Sequence, residues 1–149
     1  MTIGYMGINL KEQKAIIYDD GNIVWSTTTY ASIGQAVKNA MRAPETVNKY
    51  LFINSFTVSQ NQVLESCEKI SGKKWDVTHV AAEEQKKIGQ RKVANGDLSG
   101  AMLLIRYINC VEGYGGNFAQ YEKTSNELLS LPVETLDDVV AGIFRNVVV

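Results

Sequence analysis

A serine and a glutamine three residues apart, Ser59 and Gln62, stand directly before a run with helical hydrophobic rhythm. At that spacing the serine hydroxyl takes the third backbone N–H of a helix while the glutamine reaches back to the serine's own N–H, so a helix starts here. Val58 and Val63 flank the pair as the two halves of a hydrophobic staple. Behind them Val63, Leu64, Cys67 and Ile70 form one apolar stripe, and Gly72 supplies the stop. Upstream, Tyr50–Ile53 is an apolar run of strand length, closed by the polar pair Asn54-Ser55. Downstream, Trp75–Val80 alternates as a second strand. Asn48 to Val80 therefore reads as a strand-helix-strand unit, and an α/β fold with a small, mainly parallel sheet and packed helices follows.

The remaining segments attach to that unit. Met1 to Asn9, spaced by Gly4 and Gly7, reads as a strand or loop at an edge. Ala15–Tyr18 and Ile23–Ser26 read as the arms of a hairpin about the turn Asp19-Asp20-Gly21-Asn22, whose two acids are expected to be solvated turn formers. Thr29 or Ser32 caps a helix that lines up Ile33, Ala36, Val37, Ala40 and Met41 on one face, and Pro44 ends it. A charged helix runs from Ala82 to the stop Asn95-Gly96, with Glu83 and Lys87 as an i, i+4 pair on a face where no function is expected. Leu98 to Val111 is apolar on nearly every side, so it must be either central or covered by a partner, and a homodimer is the simplest cover. Thr135 and Asp138 open a last helix with Leu136, Val139, Val140 and Ile143 as its buried stripe. With no repeat and no linker-like composition, residues 1–149 are expected to form one domain.

Composition then removes whole classes of function. A chain of 149 residues with 45% hydrophobic content can build one core. Fifteen basic against sixteen acidic residues favour neither nucleic acid nor an anionic membrane. No apolar run is long enough for a membrane span and the first residues lack a signal peptide's parts, so a cytoplasmic location is expected. One histidine and two distant cysteines cannot ligate a transition metal, and Cys67 and Cys110 both read as buried thiols. There is no G-x-G-x-x-G and no P-loop, so the backbone cradle for a dinucleotide is missing and no cofactor is expected. Gly113-Tyr114-Gly115-Gly116 follows a helix instead of opening one, and reads as a turn or a pocket rim.

Acid-base chemistry without a cofactor is left. His79 closes a strand, where α/β domains often place site residues, and a histidine is the side chain type best suited to proton transfer near neutral pH. Tyr107 can donate a proton and Arg106 can hold an anion. All three equally suit surface packing and pairing. Trp25, Tyr114, Asn117, Phe118 and Tyr121, with Tyr30 as a further aromatic, form a set able to bind a small molecule.

Three phrases carry a family resemblance: IYDDGNIVWSTTTYASIGQAV, YLFINSFTVSQNQVLESCEKISGKKWDVTHV and NELLSLPVETLDDVVAGIF. They resemble the carboxyl-terminal half of fungal isoflavone-reductase-like members of the NmrA-like family, which are atypical short-chain reductases. The resemblance implies a pocket for phenolic or other aromatic substrates, with the nucleotide site and the proposed catalytic lysine in the other half of such proteins. The reading placed first is a cofactor-independent isomerase or cyclase acting on an aromatic or polyketide-like molecule. The alternatives are a binding or regulatory module without catalysis, and the substrate part of an NAD(P)H-dependent oxidoreductase.

Overall fold

The capping box at Ser59 is formed. The Ser59 hydroxyl accepts the Gln62 N–H at 3.3 Å, and Gln62 Oε1 accepts the Ser59 N–H at 2.9 Å. The computed structural model describes residues 5–147, so the first four residues of the edge segment expected over Met1 to Asn9 lie outside the described residues. Helix α2, Gln60–Ser71, ends as expected on Gly72, whose φ of 67° is the left-handed cap that glycine adopts without strain. Strand β5, Asp76–Val80, follows it.

The sheets depart from the simple strand-helix-strand reading. Strands β1 (Ile8–Asn9) and β2 (Lys14–Tyr18) are antiparallel neighbours, and β2 pairs with β5 in parallel from Lys14↔Asp76 to Tyr18↔Val80. Strands β3 (Val24–Thr27) and β4 (Phe56–Ser59) form a separate antiparallel pair. The fold is α/β, but only one of these three pairings is parallel.

Two expectations are corrected. The arms of the expected hairpin become β2 and β3 but do not pair with each other, and one buried side chain explains why. Gln60 accepts the Tyr18 N–H at 2.8 Å and donates to Ile16 O at 2.9 Å and Met6 O at 2.8 Å. Its amide occupies the backbone groups of β2 that a hairpin partner would have used. Tyr50–Ile53 is also not a strand here, because the place beside β3 is taken by Phe56–Ser59.

Helix α1, Tyr30–Ala40, is capped by Thr29, which accepts the Ser32 N–H. Its apolar face is not the buried one. Ala36 and Ser32 are buried, whereas Ile33, Val37 and Met41 face solvent. Helices α3 (Ala82–Ala94) and α4 (Ser99–Cys110) form a close pair. A Cβ on Gly100 would fall 2.4 Å from Gly89 O, so the crossing requires hydrogen there. Within the chain α4 is not covered all round: Gly100, Tyr107 and Cys110 are buried, and Met102, Ile105 and Ile108 are exposed, which excludes the central of its two expected places. The i, i+4 pair Glu83–Lys87 is replaced by Glu83–Lys86 at 3.6 Å.

Helix α5, Leu136–Val147, closes the structure against α2. One core cluster joins Met6, Tyr18, Trp25, Val58, Tyr107 and Cys110, and a second joins Ile8, Ala15, Ile17, Cys67, Trp75 and Val140. Each fully buried large apolar side chain in them contributes about 2 kcal/mol.

Candidate functional site

An apolar cleft lies between the β3–β4 pair and the facing sides of α2 and α5. Trp25, Phe56 and Val58 form its sheet wall, and Val63, Cys67, Leu136, Val139, Val140 and Ile143 its helical wall. Thr27, Thr28 and Thr29 give it one polar end. The cavity measures ≈ 60 Å³. Burial pushes the Cys67 thiol up to about 12, so this wall contributes no nucleophile at neutral pH.

Behind the threonine end sits a carboxylate that sequence reasoning missed. Glu134 Oε2 accepts hydroxyls from Thr29 at 2.8 Å, Ser32 at 2.6 Å and Ser55 at 2.6 Å. Partial burial pushes its carboxyl up, but the three hydroxyls together hold it below the ordinary value. The group ties the chain before α5 to the start of α1 and to the entry of β4.

A second cluster lies on the rim of α3, α4 and the glycine-rich loop. The Tyr107 hydroxyl donates to Glu83, and the Lys86 ammonium reaches the hydroxyls of Tyr107 at 3.2 Å and Tyr114 at 3.4 Å. The two rings meet edge to face with centroids 5.2 Å apart, and the Lys86 ammonium stands 4.6 Å from the Tyr107 ring centre. Glu83 first, then Tyr114 and burial, push the Tyr107 phenol up to about 12. Tyr107 and Lys86 pull the Tyr114 phenol below its ordinary value, and the two phenols together raise the Lys86 ammonium. Tyr114 is thus the more acidic phenol of the pair and has a cation beside its anion, which is an arrangement suited to proton transfer.

The structure brings Tyr107 and Tyr114 together and adds Glu83 and Lys86, which lie on the helix where no function was expected. His79 sits apart on the exposed face of β5, opposite Ile17, with Nδ1 at 2.9 Å from Asp19 O. Arg106 lies against Tyr18 and lines a groove with Lys14, Asp76 and Thr78. Trp25 is in the cleft, 4% exposed. Asn117 and Tyr121 line an open groove of ≈ 230 Å³ with Val24, Asn109 and the loop glycines, while Phe118 stacks on Phe52 at 5.7 Å. Asp19 is not merely a solvated turn residue. Its carboxylate accepts the Ala82 N–H at 3.0 Å and caps α3.

A dinucleotide would need an open helix N-terminus for its pyrophosphate, and the described residues do not fit one. Among the described residues, each of the five α-helix N-termini already holds a side-chain acceptor: Thr29 for α1, Ser59 for α2, Asp19 for α3, Asp97 for α4 and Thr135 for α5. Glu83 and Glu84 in the first turn of α3, and Asp137 and Asp138 in that of α5, add like charge against a phosphate. Among the described residues no group of three or more His, Cys, Asp or Glu could hold a metal ion, and no helix is long and apolar enough to cross a membrane.

No protein-family model matches the chain. In sequence it is 47% identical over 142 residues to oxidoreductase aprR of Aspergillus flavus, covering 95% of this chain and 48% of that protein. It is 30% identical over 143 residues to oxidoreductase poxI of Penicillium oxalicum, covering 94% of this chain and 46% of that protein. In structure it superposes on isoflavone reductase with a TM-score of 0.66 at 23% identity, covering 94% of this chain and 49% of that one. A nucleoside-diphosphate-sugar epimerase from Staphylococcus aureus follows with a TM-score of 0.61 at 17% identity, over 89% of this chain and 44% of that one. The chain therefore has the isoflavone-reductase-like, NmrA-like fold and is a relative of fungal oxidoreductases, spanning about half the length of those it matches.

Proposed function

We propose that this chain forms the small-molecule side of an oxidoreductase, taking a flat aromatic or polyketide-like molecule into the apolar cleft while residues other than those described hold the nucleotide. The observation that carries the reading is the pairing of that cleft with five occupied helix N-termini: the described residues offer a place for an apolar molecule and none for a pyrophosphate. The names of the relatives support a redox role, and the isoflavone of the structural neighbour's name supports an aromatic ligand. A cavity of ≈ 60 Å³ is smaller than the ~150 Å³ that accepts benzene, so a ring enters only as the wall opens. Helix α5 is the wall that moves, since it packs chiefly on α2 and supplies Leu136, Val139, Val140 and Ile143.

Tryptophan fluorescence tests this reading. The only tryptophans are Trp25 in the cleft and Trp75, whose ring meets Phe144 of α5 at 6.3 Å. In a Trp75→Phe background, titration with an isoflavone is expected to quench Trp25 saturably, and Val140→Phe, which fills the cleft without adding a fluorophore of that kind, is expected to abolish the quenching. Quenching that never saturates, or that survives Val140→Phe, rules the cleft out as the binding site.

The Glu83–Lys86–Tyr107–Tyr114 cluster favours a second reading, the cofactor-independent isomerase or cyclase. Here Tyr114 exchanges a proton with the substrate while Lys86 stabilises the phenolate. Solvent deuterium uptake into an enolisable aryl ketone, followed by NMR, is expected to fall at least tenfold in Tyr114→Phe. Equal uptake in wild type, Tyr114→Phe and buffer removes this reading.

A further inference from the structure

We infer that the open groove between the turn after β2, the end of α4 and the glycine-rich loop binds a neutral polyhydroxylated ring of the hexose class, at a site separate from the apolar cleft. The groove measures ≈ 230 Å³, and Asn22, Asn109 and Asn117 stand on its walls. Each has one end of its amide tied to the fold. Asn22 Oδ1 accepts the Asn61 amide at 2.8 Å, Asn117 Oδ1 accepts the Ser26 hydroxyl at 3.5 Å, and Asn109 Nδ2 donates to Ile105 O at 2.8 Å. The opposite ends have no partner among the described residues. The groove therefore keeps N–H donors from Asn22 and Asn117 and a carbonyl acceptor from Asn109. Because the ties set these orientations before a ligand arrives, less ordering is left to be done on binding. Ser26 also fastens the loop, donating its N–H to Gly116 O at 2.8 Å and accepting the Ala119 N–H at 3.3 Å. A Cβ on Gly116 would fall 3.3 Å from Asn109 Oδ1, so glycine there keeps the acceptor uncrowded.

The mixture of donors and acceptors selects the ligand. A simple anion would use the two N–H groups and meet Glu112, the one charged side chain among the described residues of the groove. A cation would use Asn109 and Glu112 and face two donors. A hydroxyl both donates and accepts, so neighbouring hydroxyls on one ring satisfy every group. Tyr121, 67% exposed on the same groove, offers an aromatic face to the C–H side of such a ring. Val24 lines the groove and Trp25 lines the cleft, and successive side chains of a strand point to opposite faces, so the two sites lie on opposite faces of β3. One molecule does not bridge them, and the inference holds whether or not the cleft takes an aromatic.

Amide chemical-shift mapping tests it. Glucose, galactose and mannose, each as the free sugar and as its methyl glycoside, are titrated into the chain. At least one hexose is expected to move the amides of Gly113, Gly116 and Asn117 saturably, with a Kd on the order of 1–10 mM. Binding of both forms assigns the ring, as carried by a glycoside, and binding of the free form alone assigns a free sugar. The phosphorylated form of that hexose is expected to bind more weakly, and equal or tighter binding overturns the choice of a neutral ligand. Asn117→Asp keeps the oxygen that accepts Ser26 and exchanges only the free N–H end, and is expected to weaken binding about fivefold. If that change disturbs the spectrum beyond the loop, Tyr121→Ala carries the test, with an expected loss of about threefold. No saturable shift with any of the sugars overturns the proposal, as does full affinity in both variants or a sugar that competes with isoflavone quenching of Trp25. A failed isoflavone titration with the sugar shifts retained counts against the cleft alone.

Discussion

In the cleft, Trp25 meets Met6, Phe56 and Val58 with three threonines at one end; on the rim, the Lys86 ammonium reaches two phenol oxygens, one of them on the half-exposed Tyr114. The two regions share a core, since Trp25 and Tyr107 belong to one apolar cluster, but they divide the work of a site between them. The cleft has walls and nothing in them that titrates near neutrality. The rim has protons and cations and no enclosing walls. Binding an apolar molecule and moving a proton thus fall to different places, which is why the first reading gives the chain a ligand and leaves hydride chemistry to other residues.

The largest effect is expected at the apolar cleft. Trp25→Ala is expected to cost about 3–5 kcal/mol, read as a lowered urea midpoint, because the indole is buried in both cleft and core. Tyr114→Phe, on the rim, is expected to leave the midpoint unchanged. Equal losses would mean that the two regions are not physically distinct.

Glu134 gives the next effect. Glu134→Ala removes the acceptor of three hydroxyls and is expected to cost about 2 kcal/mol at pH 7. The folded carboxyl lies below its unfolded value of about 4.3, so its contribution is present above that pH and is lost as pH falls through the folded value. Wild type should therefore show a steeper acid loss of stability below about pH 4.3 than the variant. Parallel acid limbs would contradict the assignment.

The smallest effect sharpens the rim. Tyrosinate absorbance is expected to show Tyr114 ionising before Tyr107, and Lys86→Met to move the early step up toward the ordinary tyrosine value. An unmoved early step would mean that the ammonium does not govern the phenol.

Where the sequence was legible, a local rule decided the outcome. Ser59 with Gln62, Thr29 at the start of α1, Gly72 and the Asn95-Gly96 stop each act within four residues. What escaped depended on distant partners. The expected hairpin failed because Gln60 lies 42 positions from the Tyr18 N–H it accepts, and Tyr50–Ile53 failed as a strand because a strand needs a neighbour. Lys86 and Glu83 looked like a solvated face until α4 brought Tyr107 against them, 21 and 24 positions away. Glu134 gave no signal, since its hydroxyl partners lie 79 to 105 positions upstream.

The central claim, an aromatic cleft without a nucleotide site, is met most directly by calorimetry on the purified chain. Titration with an isoflavone is predicted to give saturable heat, and titration with NADPH to give none up to ~1 mM. Micromolar binding of NADPH by this chain alone would contradict the account.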